Sequence, residues 1–402
     1  MKFLVIVQDL RVSGTSEGIV SRSFISYLRK TFPKSTIDVL YLRCHNGEDD
    51  LKLLPVNSLI TYEISRKIPF FTRMLNKVYW RLFHYSLKDD HIQKQFKKKI
   101  QNKESESYNH IFVRSSGQEY ETVLGLYGLK HLKKAIINFH DPYPVFWDTG
   151  SNMSLTNLEL FRLKKMKEIV DTAGVCISPS QHLSKDLELL YGSNKKFYTL
   201  PHIFDIDVFN LNEITKLREK KVKVTITYHG SLQLGRDIDI VLDSYIYIIN
   251  NNDFLKKNSE FVLRLKSNQY NRLKEKYKSI ANIKILSAVS FLESLYEQKH
   301  QSDIIIILEN KFDYSNILPG KVAVIAGINK RFLSVSPKDS EMRRLLEGTN
   351  YIAHSTNKDS IISKLEKLLS DVQDDKTFYS PIADYFCLNS FKLTINAFLN
   401  DE

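Results

Sequence analysis

The residues with the most chemical potential stand where apolar runs stop. In AIINFHDPYPVFWD, residues Ala135 to Asp148, an apolar run ends at His140 and Asp141, and two prolines keep it from running straight into a helix. An imidazole beside a carboxylate at the carboxyl end of a strand faces the crevice of an open sheet. There His140 would donate a hydrogen bond to a hydroxyl, and Asp141 would orient that hydroxyl or take its proton. The same pair also has a structural reading, a turn in which Asp141 caps amides and His140 packs.

Two further stretches suit an anionic ligand. In YHGSLQLGRD, Tyr228 to Asp237, a strand runs into the turn at Gly230 and Ser231, and Arg236 precedes a helical segment. Arg236 and the helix amides would face a diphosphate, or Arg236 would pair with Asp239 at the surface. In DIIIILENKFDYSNILPGK, Asp303 to Lys321, Glu309 and Asp313 are placed to hold ribose hydroxyls, and Gly320 with Lys321 to meet phosphate. A third loop, Leu10 to Gly18, carries Gly14, Thr15, Ser16 and Glu17 into a helix, as a substrate loop or a plain turn.

None of these is a GxGxxG or GxxxxGK[ST] fingerprint. No HExxH or paired His/Cys spacing appears, so no metal site is expected, and Ser178 and Ser231 lack the GxSxG setting of a serine hydrolase.

Positioning these residues calls for alternating strands and helices. Strands are expected at Phe3 to Val7, Thr36 to Leu42, His110 to Arg114, Ala135 to His140, Gly174 to Ile177 and Phe197 to Leu200. Helices are expected at Gly18 to Lys30, Glu119 to Lys133 and Pro179 to Leu190, the last started by Ser178. A second strand series begins at Lys223 and continues through Phe261 to Leu265, Ile283 to Leu286, Asp303 to Leu308, Arg331 to Val335 and Tyr351 to His354. The fold class is therefore α/β with two Rossmann-like halves. The charged stretch Leu211 to Lys221 is the expected linker, giving a first domain over 1–210, a second over 211–375 and a C-terminal helical segment over 376–402.

At 402 residues, 43% of them hydrophobic, the chain can build two cores. Three scattered cysteines without a CxxC pair suit a reducing compartment, and no apolar stretch is long enough to span a bilayer, so a cytoplasmic location is expected. The net charge of +12 would serve nucleic acid, an anionic membrane or a phosphate-bearing substrate. The basic residues are spread out and no nucleic-acid recognition motif appears, so nucleic acid is not expected as a partner.

Taken in order, the loop Gly14 to Gly18, VRSSGQEY, FHDPYP, CISPS, LPHIFDIDVF, YHGSLQLGR and LPGKVAVIAGINKRFLSVSP resemble the GT-B glycosyltransferases, in particular the group four type that builds bacterial surface glycans. The resemblance implies two Rossmann-like domains facing across a cleft, with a C-terminal helix crossing back to the first. It implies a nucleoside-diphosphate sugar as donor, no tightly bound cofactor, and a glycan acceptor, lipid-linked ones included. It assigns Gly230, Ser231, Arg236, Glu309, Asp313, Gly320 and Lys321 to the donor and sets the base near Leu286 to Ser290, at Ala288. It assigns Gly14 to Glu17 and His140 to the acceptor side, and His140, Asp141, Arg236 and Lys321 to catalysis.

The sequence departs from that pattern where a ribose-binding Glu is common: it has Val324, and Asn316 near the usual earlier Glu. Valine cannot accept a hydroxyl hydrogen bond. Asn329 replaces a common helix-ending Gly, and Ser231 an Arg. A noncatalytic binding or scaffolding protein and a nucleotide-sugar epimerase therefore stand as alternatives.

Residues 62–101 hold ten Lys or Arg against three acidic residues, and IPFFTRMLNKVYWRLFHYSL interleaves them with aromatic and aliphatic side chains. Such a helix lies on an anionic membrane surface or packs its apolar side on the first domain. The oligomeric state is not encoded in any recognisable motif.

Overall fold

In the computed structural model, which describes residues 1–147, 152–192, 194–211 and 218–400, the apolar runs form two separate parallel sheets. Chain contacts group Met1–Val208 with Leu388–Glu402 in one unit and Phe209–Cys387 in the other.

The first unit runs β1 (Lys2–Val7), α1 (Ser16–Thr31), β2 (Thr36–Arg43), β3 (Ser58–Glu63), α2 (Phe70–Phe83), α3 (Leu87–Gln101), β4 (His110–Arg114), α4 (Glu121–Leu124), β5 (Ala135–Asn138), α5 (Asn157–Thr172), β6 (Val175–Ser178), α6 (Gln181–Tyr191) and β7 (Phe197–Thr199). Its seven strands lie in the order β3-β2-β1-β4-β5-β6-β7. All pairs are parallel, with Val5 level with Val39 on one side and Phe112 on the other. Strands buried on both faces need apolar residues at every position, and β1 (KFLVIV) and β5 (AIIN) read that way.

The second unit runs β8 (Val224–Gly230), α7 (Asp239–Asn250), α8 (Asp253–Asn258), β9 (Ser259–Leu265), α9 (Tyr270–Lys276), β10 (Ile283–Ser287), α10 (Phe291–His300), β11 (Ile304–Leu308), β12 (Tyr314–Ser315), α11 (Lys321–Gly327), β13 (Arg331–Ser336), β14 (Asp339–Ser340), α12 (Glu341–Leu346), β15 (Ile352–His354) and α13 (Lys358–Gln373). Six strands follow the order β10-β9-β8-β11-β13-β15, and β12 pairs with β14 alone. The run IIIIL of β11 is wholly buried at the centre.

The last helix, α14 (Leu388–Asn400), belongs to the first unit. Its buried residues Phe391, Ile395 and Phe398 recur at helical spacing. Phe391 meets Phe24 and Tyr27 of α1 edge-on at 5.8 and 5.5 Å, and Phe398 meets Tyr198.

In each sheet the chain reverses its direction of progress at one place, between β1 and β4 and between β8 and β11. Open parallel sheets bind ligands in the crevice beyond the carboxyl ends of such strands.

Two local expectations are corrected. The helix expected over Glu119 to Lys133 forms only as α4, followed by turns and a 3-10 segment at Lys130–Lys134. Gly125 packs its backbone against Phe96, leaving no room for a Cβ, and Gly128 takes φ +73°, outside the helical region. Helix α6 is capped by Ser180, whose hydroxyl accepts from the Leu183 amide, and not by Ser178, which bonds the Ser180 carbonyl. Strand β3 and helix α5 have no counterpart in the sequence reading. Of the expected linker, 212–217 lie outside the described residues, as do Asp148 and the last two residues.

Candidate functional site

The crevice of the second unit is built from the ends of β8 and β11. Strand β8 ends at Gly230, with φ +151°, and a Cβ there would stand 3.0 Å from the Lys321 ammonium. Glycine thus lets Lys321, the first residue of α11, reach across and donate to the His229 carbonyl at 2.7 Å, its ammonium 4.1 Å from the centre of the Tyr228 ring. Part of the Lys321 side chain stays exposed, but its ammonium is desolvated. Burial, and then the charge of Arg236, hold it well below the usual lysine range.

Arg236 donates to the Ser231 carbonyl at 3.3 Å, and its backbone bridges to Asn310. The alternative pairing with Asp239 does not occur, because Arg272 and Lys276 take that carboxylate. Glu309, one residue beyond β11, is 3% exposed. Burial pushes its carboxyl up to about 7, against the nearby hydroxyls of Ser336 and Ser340 and the charges of Arg236 and Arg343. Ser340 donates to one carboxyl oxygen at 3.0 Å. The other oxygen, like Nε of Arg236, is buried with no hydrogen-bond partner among the described residues. Glu309 and Arg236 line one small pocket with Leu234, Asn310, Ser315 and Pro319.

Gly230, Ser231, Arg236, Glu309, Gly320 and Lys321 are therefore neighbours around one strand-end crevice. Asp313 and Ala288 do not line that pocket. Asp313 is exposed, with its carbonyl accepting from the Asp339 amide, and Ala288 is exposed beyond β10, its amide donating to Leu265. Asn316 and Val324 are both buried.

The crevice of the first unit, at the ends of β1 and β4, is a closed network. Asp9 accepts from Arg11 at 2.6 Å and from Thr15 at 2.9 Å, and Thr15 in turn caps α1 at Gly18. Gly14 is exposed on the same loop, and Ser16 is exposed at the first position of α1. His140 is 5% exposed; its Nε2 accepts from Arg114 at 2.9 Å and its amide donates to Ser115. Burial, then the charges of Arg114 and His202, hold the imidazole well below its usual range. A neutral ring accepting at Nε2 carries its proton on Nδ1. Beside it, Gly117, at φ +57°, leaves space where a Cβ would stand 3.1 Å from a Glu17 oxygen and 3.3 Å from an Asp141 oxygen. Glu17's carboxyl is raised, chiefly by burial, with the charge of Asp9 adding to it. The two carboxylates thus share one edge of this crevice.

Arg114, Ser115, His202 and Ser336, which lie within the quoted motifs without a role assigned to them, complete the two constellations with Ser340 and Arg343, which lie outside those motifs. Ser340 carried a usable signal, a helix-capping serine ahead of Glu341. Arg114 belongs to VRSSGQEY, but an arginine at the end of an apolar run gives no hint that it will be 3% exposed over the Phe24 ring.

The sequence matches no known family pattern, and no curated protein matches it. Solved structures do. An E. coli trehalose-6-phosphate structure bound with UDP-2-fluoro glucose superposes with a TM-score of 0.65 at 10% identity, covering 100% of this chain and 99% of that one. HepE from Anabaena, in complex with UDP and glucose, gives 0.61 at 12% identity with both chains fully covered. A putative UDP-N-acetylglucosamine 2-epimerase from Listeria monocytogenes gives 0.60 at 13% identity, covering 100% and 97%. The chain has the GT-B fold. Within that fold, the β8–β11 crevice and the β1–β4 crevice are the switch points of its two Rossmann-like units.

Proposed function

We propose that the protein transfers a sugar from a nucleoside-diphosphate sugar to a hydroxyl of a growing bacterial surface glycan, lipid-linked acceptors included. The observation that carries this reading is the group Arg236, Glu309 and Lys321 at the second switch point, where a desolvated ammonium, a guanidinium and a buried carboxyl with one unpartnered oxygen converge. UDP or a UDP-sugar is bound in two of the GT-B structures compared above.

In this reading the donor diphosphate lies against Lys321, Arg236 and the Gly230–Ser231 turn. Both cations offset the charge that grows on the departing diphosphate, where electrostatic help is worth most. Glu309 accepts a donor hydroxyl through its free oxygen, a role that neither Asn316 nor Val324 can fill with a carboxylate. The outer positions Asp313 and Ala288 frame the ribose and base. On the acceptor side, the loop Gly14 to Glu17 and His140 hold the incoming sugar. If the reaction inverts the anomeric centre, Asp141 takes the acceptor proton, with Glu17 beside it; a retaining reaction needs no such base. The donor supplies all the chemistry, so no resident cofactor is invoked.

The test is an assay with a panel of nucleoside-diphosphate sugars and glycan acceptors, following released nucleoside diphosphate and the anomeric form of the product. Acceptor-dependent release that Lys321→Met lowers about 100- to 1000-fold is expected. Conversion of the donor sugar without any acceptor would establish the epimerase reading instead, a reading favoured by the Listeria structure. Donor binding without product would leave a binding or scaffolding role.

A further inference from the structure

Helix α2 stands out because almost nothing covers it. Of its 14 residues only Asn76 is buried and only Thr72 is half-buried. Phe70, Phe71, Leu75, Trp80, Leu82 and Phe83 are 63, 75, 54, 42, 66 and 60% exposed. A helix in a water-soluble fold normally turns its apolar side to the core, and here the reverse holds. Asn76 anchors the helix by accepting from the Lys88 amide at the start of α3.

The arrangement around the helix decides what could cover it. With successive residues turned by about 100°, Met74, Val78, Phe71, Leu82 and Leu75 follow one another along one side. Arg73, Lys77 and Arg81 fill the adjoining arc. Thr72 and Asn76 fall opposite, toward the body of the unit. The face directed away from the fold is thus apolar along its length with a basic flank. Arg73, Lys77 and Arg81 have no carboxylate partner among the described residues, and Arg81 rests 5.9 Å from the Trp80 ring. Exposed apolar surface continues onto α5, where Leu160 is 48% exposed and Asn157 meets His84 at the end of α2.

We infer that α2 lies in the plane of an anionic membrane surface, its apolar side among the acyl chains nearest the headgroups and Arg73, Lys77 and Arg81 at the phosphates. A second copy of this chain would set these same cations against one another, whereas anionic lipid complements them. No described helix is long and apolar enough to cross the bilayer, so the contact lies on the surface. The inference is independent of the transfer reaction, since neither donor nor nucleotide enters it.

Phe71, in the middle of the apolar side and 75% exposed, supplies the site for the readout. The chain has two tryptophans, Trp80 and Trp147, so Phe71→Trp combined with Trp80→Phe and Trp147→Phe leaves a single tryptophan on that side. The full-length protein is mixed with vesicles of phosphatidylcholine, or of phosphatidylcholine and phosphatidylglycerol in equal parts, and followed by flotation and by emission of that tryptophan. At least about tenfold more protein should float with the anionic vesicles, with the single tryptophan shifted to the blue and quenched by brominated lipid. Lys77→Glu with Arg81→Glu should cut flotation at least about tenfold, and so should Val78→Ser with Leu82→Ser. All four side chains are exposed, so these variants should keep the melting transition of the parent. Equal flotation with both vesicle types, or none, would overturn the inference. So would loss of binding in the charge variant alone, which would mean adhesion without insertion. A vesicle-free dimer that buries the tryptophan placed at position 71 would assign the face to a second copy and overturn it as well.

Discussion

At the ends of β1 and β4, Asp9 is held by Arg11 and Thr15, and His140 by Arg114. At the ends of β8 and β11, by contrast, a Glu309 oxygen and Arg236 Nε are buried without partners among the described residues. The first crevice has its own exception, Asn138 Oδ1, but its charged groups are satisfied internally. A buried polar atom left unpaired costs about 1–3 kcal/mol. One layout, used twice, thus gives a rigid, satisfied surface in one unit and an incomplete one in the other. A ligand's hydroxyls and phosphates would complete the second.

The comparison breaks most visibly through Lys321 and Arg236. Lys321→Met or Arg236→Ala should lower the turnover of transfer about 100- to 1000-fold. Lys321→Met should not lower stability, because it removes a desolvated ammonium, and urea unfolding checks this. Equal losses of turnover from His140→Gln would erase the distinction between the crevices.

Protonation sharpens it next. Between about 4.5 and about 7 the folded protein retains a proton on Glu309 that the unfolded chain has released, so stability should fall as pH rises through that window. The loss attached to this one group is up to about 3 kcal/mol. Glu309→Gln should remove that slope, as seen by urea unfolding at the two ends of the window.

Lys321 predicts a smaller effect of opposite kind. Its proton affinity is depressed in the free protein, and an anionic diphosphate beside it restores that affinity. Donor binding should therefore take up protons, measured as a dependence of binding heat on the ionisation enthalpy of the buffer, and Lys321→Met should lose it.

The smallest test uses two glycines. Gly230→Ala crowds the Lys321 ammonium and Gly117→Ala crowds the Glu17 and Asp141 carboxylates. The first should weaken nucleotide binding about tenfold, on the order of 1.4 kcal/mol. The second should leave nucleotide binding unchanged and raise the KM for acceptor.

The doubly wound architecture was legible because strands buried on both faces, such as IIIIL of β11, are apolar at every position. Strand β3 escaped because it lies at the sheet edge with three of its six residues exposed, so SLITYE has no such signature. The helix expected over Glu119 to Lys133 failed at Gly125 and Gly128, where a close approach and a positive φ overrode the local periodicity. At the site, Gly230, Arg236, Glu309 and Lys321 could be found because each lies at the end of a strand, in the turn between a strand and a helix, or at the start of a helix. Their support by Ser340, Ser336 and Arg343 depends on pairings between distant segments, which no local pattern encodes.

Titration calorimetry with uridine, guanosine, cytidine and adenosine diphosphates, on the parent protein and on Arg236→Ala, Lys321→Met and Arg114→Met, tests the second crevice most directly. At least one nucleotide should bind the parent and Arg114→Met alike, and bind both second-crevice variants at least about tenfold more weakly. Binding of none of the four, or binding indifferent to Arg236 and Lys321 but lost with Arg114, would contradict the assignment.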